Sequence, residues 1–191
     1  MFFEISDRIK ELSKVALEKA SPVFKGIDEL TEYNQQKVLS AFIRNRVDET
    51  DFNTSTGYGY GDKGREKLDV LTADIFGAES AIIRAGALAS GTHTLAVCLY
   101  GILRPNDVML CVSGTPYDTL HSTIGLGGKN MGDATLTDFG VHYQQIDLTE
   151  DDQLDYEAIE ECAIDKAVRM VYIQRSRGYS LRHTISVDEI E

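Results

Sequence analysis

Ser90-Gly91-Thr92 is the stretch of this 191-residue chain whose residue types are best suited to chemistry. It follows an apolar run, Ser80 to Arg84, and a small-residue turn, Ala85-Gly86-Ala87-Leu88-Ala89. Ser90 is a good N-cap, because its hydroxyl can accept a hydrogen bond from a first-turn amide. A helix opening with Ser, Gly and Thr after a strand presents bare N–H groups and a positive dipole end, which suits a phosphate. An ordinary capped helix satisfies the local sequence equally well. A second candidate is the loop Asp48 to Gly64, where glycines at 57, 59, 61 and 64 interleave with Tyr58 and Tyr60. A dinucleotide fingerprint fails there, because it needs glycine at Asp62 and a preceding strand. Glycines beside exposed ring faces and hydroxyls favour a ligand-facing loop over a merely flexible one. The glycine-rich stretch Gly125 to Gly132, with Lys129, fails as a phosphate-binding Walker loop at both Thr123 and Asn130. Cys98, Cys111 and Cys162 are odd in number and lie in apolar surroundings, so they read as reduced core thiols and not as a disulfide frame or zinc site.

The elements that must position these residues follow from periodicity. Phe3, Ile5, Ile9, Leu12, Val15 and Ala16 share one face of a helix over residues 3–20, and Ser21-Pro22 punctuates it. A second helix is expected from Asp28 to Val47, burying Leu30, Tyr33, Val38, Phe42 and Ile43. Arg65 to Phe76 is helical, stopped by Gly77. Ser80 to Arg84 reads as a strand. The helix from Ser90 carries Leu95, Cys98, Leu99, Ile102 and Leu103 towards a core. Val108 to Val112 is a continuous apolar run, as in a strand buried on both faces, and Ser113 to Thr119 turns it into another helix. A strand over Phe139 to Ile146, a helix over Leu154 to Ala163 and a buried strand over Val168 to Ile173 complete the order. Alternating strands and helices make the class α/β with a largely parallel sheet. Ser186-Val187-Asp188-Glu189 is a capping-box pattern that starts a helix, and the chain stops two residues on, so it reads as cut in mid-element.

Bulk properties narrow the function. A formal charge of −12 would repel nucleic acid and anionic membranes. No apolar run reaches the ~18 residues of a membrane span. The acidic, interrupted N-terminus lacks the apolar block of a signal peptide, so a cytoplasmic protein is expected.

Five motifs in order, G-Y-G-Y-G-D-K-G-R, A-E-S-A, A-S-G-T-H, Y-D-T and Y-I-Q-R-S-R-G-Y-S, together resemble the N-terminal half of the pyridoxal-phosphate (PLP) enzymes related to methionine gamma-lyase and cystathionine lyases. The likeness runs from about Phe52 to Ile190 and is greatest to the aluminium resistance protein branch. It implies the large domain of the aspartate-aminotransferase fold over 51–191, preceded by a helical arm over 1–50. It also implies a homodimer or homotetramer, PLP as cofactor and a small amino-acid substrate. By resemblance, Ser90, Gly91 and Thr92 match the phosphate-binding helix start. Tyr117 matches the aromatic that stacks on the pyridine ring, and Tyr60 the tyrosine that reaches the phosphate of a neighbouring subunit. Gly178 stands where the lyases have a cofactor-contacting asparagine, so the Q-R-S-R-G-Y loop is given no role. Arg175 and Arg177 read either as carboxylate clamps or as plain surface.

The enzyme class needs a Schiff-base lysine and an aspartate for the pyridinium nitrogen. The last lysine here is Lys166, before the final strand. No catalytic residue is therefore expected in this chain. It reads as the N-terminal fragment of a carbon–sulfur lyase-like protein acting by β- or γ-elimination and inactive alone. Two alternatives stay open: a non-catalytic dimerising or interaction protein, and another α/β enzyme binding a phosphorylated small molecule.

Overall fold

The computed structural model describes residues 4–58, 60–83, 86, 88–127 and 134–191, which form two compact units, Met1–Ala85 and Gly86–Glu191. In the first unit, α1 (Asp7–Arg44) is one helix of 38 residues with Pro22 inside it. The expected break at Ser21-Pro22 does not occur. Proline removes one backbone donor and crowds one carbonyl, and the intact ladder on either side carries the helix through. Phe3 lies outside the described residues. The apolar stripe of α1 is exposed, not buried: Leu30, Tyr33 and Ile43 are 63%, 67% and 77% exposed, Phe42 is half-buried, and Ala41 alone is fully buried. Within its own unit the helix is held at its end, where Arg44 donates to both oxygens of Asp74 (2.8 and 3.1 Å) and Asn45 Nδ2 donates to the same carboxylate at 2.8 Å.

The partner of that clasp is α2 (Lys63–Phe76), ended by Gly77 in the left-handed conformation. The Asp48 to Gly64 loop is partly ordered by a short 3-10 helix, Glu49–Phe52, whose capping box is closed by Asp48 and Asp51. Lys63 donates to Thr50 Oγ1 at 2.7 Å and pairs with Asp48 and Asp51. The strand expected at Ser80 to Arg84 is absent over residues 80–83. Its backbone has no ladder neighbour among the described residues, and Ile83 N–H donates instead to Asp69 Oδ1 at 2.8 Å.

The second unit is an α/β layer structure. Its helices are α3 (Gly91–Ile102), α4 (Asp118–Ile124) and α5 (Tyr156–Ala163); its strands are β1 (Val108–Cys111), β2 (His142–Gln145) and β3 (Val168–Tyr172). All pairings are parallel and the order is β2-β1-β3. The central strand is buried throughout. Its alternation sends Met109 to a core with Leu99, Leu103, Leu120 and Ile124, and sends Leu110 and Val112 to the other face, with Leu154 and Ile185. Helices therefore cover both faces, as a parallel sheet requires. The α3 face is narrower than expected, since Leu95, Cys98 and Ile102 are exposed. Cys111 is fully buried and Cys162 partly so, so Cys98 departs from the core-thiol reading.

β3 is half-buried, not buried, because it lies at an edge of the three-stranded sheet. β2 is shorter than the expected Phe139 to Ile146: Thr135 and Asp138 close a turn on each other, Gly140 follows at φ 80°, and Phe139 packs edge-on against Tyr100 outside the sheet. The terminal capping box forms, with Ser186 N–H donating to Glu189 (2.7 Å) and Glu189 N–H to Ser186 Oγ (3.2 Å), although only a single turn follows. Among the described residues no helix is long and apolar enough to cross a membrane.

Candidate functional site

In a parallel sheet the loops at the carboxyl ends of the strands bound the crevice where ligands sit. Here β1 runs into Ser113-Gly114-Thr115-Pro116-Tyr117 and β3 into Gln174-Arg175. Gln174 ties the two together: its N–H donates to Ser113 Oγ at 2.8 Å, and its side-chain Oε1 accepts the Tyr117 N–H at 2.8 Å. The backbone of Tyr117 is thus pinned from the neighbouring strand end before its ring meets anything.

That ring is half-buried and lies 5.7 Å from the Tyr179 ring, tilted by 30°. The hydroxyl of Tyr179 raises the Tyr117 phenol above its usual range, with the Tyr179 charge, burial and Asp118 adding to it. Gly178 sits against the same ring. A Cβ there would come within 3.0 Å of Tyr117 Cε2, and its φ of 57° also disfavours other residues. The glycine in place of the lyases' asparagine thus has a local reason: it lets the loop close on Tyr117.

Two residues beyond Tyr117, Thr119 Oγ1 accepts a hydrogen bond from Thr92 Oγ1 at 3.1 Å, so the first turns of α3 and α4 lie side by side. Ser90 caps α3 as expected, extended at φ −158° and ψ 166°, its Oγ accepting from His93 N–H at 3.1 Å. A side chain added at Gly91 would meet nothing within 4 Å, so this helix start is open. Among the described residues the Gly91 and Thr92 amides have no acceptor. Of the turn before Ser90, Ala85 and Ala87 lie outside the described residues, as does Lys129. Tyr60 belongs to the first unit and is 88% exposed.

Beneath the crevice Cys111 donates to Gly114 O at 3.0 Å, and burial pushes its thiol up. Burial, with Cys111 close by, pushes up the Tyr143 and Tyr172 phenols as well. A thiol and two phenols all held protonated form a neutral floor, not an activated nucleophile. Sequence reasoning missed Thr119, Gln174 and Tyr179. Y-D-T and Q-R-S-R-G-Y did flag the segments that carry them.

Known proteins can be set beside this geometry. Residues 9–191 match the family model described as methionine gamma-lyase. A carbon–sulfur lyase involved in aluminum resistance from Clostridium novyi NT is 42% identical, with a TM-score of 0.88, over 97% of this chain and 44% of that one. A proposed cystathionine beta-lyase involved in aluminum resistance from Clostridium acetobutylicum gives the same identity, TM-score and coverage. YnbB of Bacillus subtilis (strain 168), an uncharacterized protein, is 40% identical over 94% of this chain and 43% of its own length. The chain thus spans less than half the length of these relatives. A match that begins at residue 9 and runs through the parallel sheet and both facing helix starts to residue 191 makes the chain a member of the methionine gamma-lyase family.

Proposed function

We propose that this chain forms the cofactor-anchoring part of a PLP-dependent carbon–sulfur lyase acting on a sulfur amino acid in the cytoplasm. The observation that carries the reading is the open start of α3, whose Gly91 and Thr92 amides have no acceptor among the described residues, beside the turn that presents Tyr117. PLP fits the residues present. Gly91 leaves room for a phosphate to reach the backbone, and the Gly91 and Thr92 amides donate to it. Those donors and the helix dipole favour an anion by about 0.3–2 kcal/mol before side chains add to it. The Ser90 hydroxyl caps the helix by accepting from His93 N–H, which leaves the Gly91 and Thr92 amides for the ligand. Tyr117, held by Gln174, offers a flat ring for the pyridine to stack on. When bound, PLP supplies an electron sink for negative charge at the Cα of an amino acid. Elimination of the sulfur-bearing group, β or γ, would follow in the complete site, which on this reading is a homo-oligomer's with Tyr60 reaching the phosphate of a second copy. This chain has no lysine after Lys166, so the covalent attachment and proton transfer are assigned to residues outside it.

The test is equilibrium binding of PLP to the full chain and to Thr92→Val. The Thr92 hydroxyl, which here donates to Thr119 Oγ1, would turn to donate to the bound phosphate; losing a hydrogen bond to a charged ligand costs about 1.5–3 kcal/mol, so affinity should fall ten-fold or more. Borohydride reduction followed by mass spectrometry should find no stoichiometric pyridoxyl-lysine. Unchanged affinity in the variant, or specific labelling of one lysine, would sink the assignment.

A further inference from the structure

The turn after β3 carries Tyr179 on a well-braced base. Ser180 N–H donates to Arg177 O at 3.0 Å, and Ser180 Oγ donates to the same carbonyl at 2.8 Å. Gly178, at φ 57°, takes the left-handed position of this four-residue turn. Beside it Arg182, 9% exposed, donates to the carbonyls of Gln174, Ser176 and His183 at 2.8 Å each. The backbone of the turn is thus tied down, while Tyr179 at its tip is 89% exposed. Arg177 and Ser180, flanking that tip, line a cleft with Ser113, Gly114 and Thr115 of the loop that leads to Tyr117. What the exposed ring meets is Tyr117 itself: the centroids are 5.7 Å apart and the two hydroxyls interact.

Carbon atoms in contact lie about 3.5–4.0 Å apart, so a ring stacked between two others sets their centroids about 7 Å apart or more. At 5.7 Å no pyridine fits between Tyr117 and Tyr179. We infer that Tyr179 is an occluding ring, which covers Tyr117 and must swing out into solvent before the cofactor's pyridine can stack there. The inference rests on the functional reading above and adds a control on that site. A braced turn with a solvent-facing tip suits the motion, because rotation of the Tyr179 side chain alone uncovers Tyr117. The form that accepts the pyridine is then a fraction of the chains, and the apparent affinity for PLP is reduced by that fraction. An aromatic pair of this kind is worth a factor of about two to ten in an equilibrium. Phosphate donors at the α3 start offset that factor for PLP, whereas a planar ring without a phosphate meets a covered Tyr117.

The experiment measures equilibrium binding of PLP to the full chain, Tyr179→Ala and Tyr179→Phe. In the parent chain, NMR follows the Gly91 and Thr92 amides together with the nuclear Overhauser contact between the Tyr117 and Tyr179 rings. That contact should be present before PLP is added and vanish at saturation, while the two amides shift. Tyr179→Ala should bind PLP about two to ten-fold more tightly than the parent. Tyr179→Phe, which keeps the ring, should gain less. Tyr179→Ala should unfold like the parent, since a residue 89% exposed adds little to the fold. Shifted amides with a ring contact that survives saturation, with no gain in Tyr179→Ala, or with an equal gain in Tyr179→Phe, would overturn the inference and leave the cofactor reading standing. Silent amides in both the parent and Tyr179→Ala would sink the cofactor reading and the inference with it.

Discussion

Gly125 and Gly91 place opposite demands on a methyl group. At Gly125 the backbone is left-handed (φ 102°), and an added Cβ would collide with Thr137 Oγ1 and lie 2.9 Å from Thr135 Oγ1. Gly125→Ala should destabilise the chain by about 2–4 kcal/mol in chemical denaturation, whereas Gly91→Ala, in open space at a helical φ, should not destabilise it. Glu189 gives a pH signature. Hydrogen bonds from Ser186, then from His183, lower its carboxyl from 4.5 to about 2. A folded-state value below the unfolded one contributes stability that is complete above pH 4.5 and is lost as pH falls towards 2. Glu189→Gln should therefore flatten the stability profile across that window; an unchanged profile would mean the capping box does not hold in solution. Ser90 and the Ser186–Glu189 box were legible in the sequence because their partners lie within three residues. Gln174 was not, because its bond to Tyr117 spans 57 positions and only the sheet brings them together.

Elements were legible where their burial is set from within. β1 is apolar at every position and buried on both faces, so its run announced it. β3, interrupted by Arg169, and the 80–83 segment, which opens on Ser80, are mostly apolar too, but one sits at an edge and the other pairs with no described strand, and neither fact is local. The α1 boundaries failed for a different reason. Ser21-Pro22 is a strong stop signal, yet proline forfeits a single bond and the remaining turns are continuous. Interior proline costs a helix about 3 kcal/mol relative to alanine. Pro22→Ala should thus raise helical circular dichroism and slow amide exchange around residues 18–26. No change in exchange there would show the helix to be already broken in solution.

At the scale of the whole chain, apolar side chains stand in water along α1, with Ile9, Leu12, Ile27 and Leu30 all more than half exposed. Stripes of that kind mark surfaces that associate. Sedimentation of the 191-residue chain should show mass rising with concentration, and a monodisperse monomer at all concentrations would contradict it. The family was legible from five short motifs. What they could not convey is how the site is braced, since Gln174, Thr119 and Tyr179 act through contacts that only the folded sheet creates. The central claim is that the α3 start holds the phosphate of PLP, and amide NMR of the full chain tests it most directly. Adding PLP should shift the Gly91 and Thr92 N–H signals saturably and move the Tyr117 ring protons with them. Pyridoxal, which lacks the phosphate, should leave the two amides in place. Equal shifts with pyridoxal, or PLP-induced shifts confined to residues away from Gly91, Thr92 and Tyr117, would contradict the account.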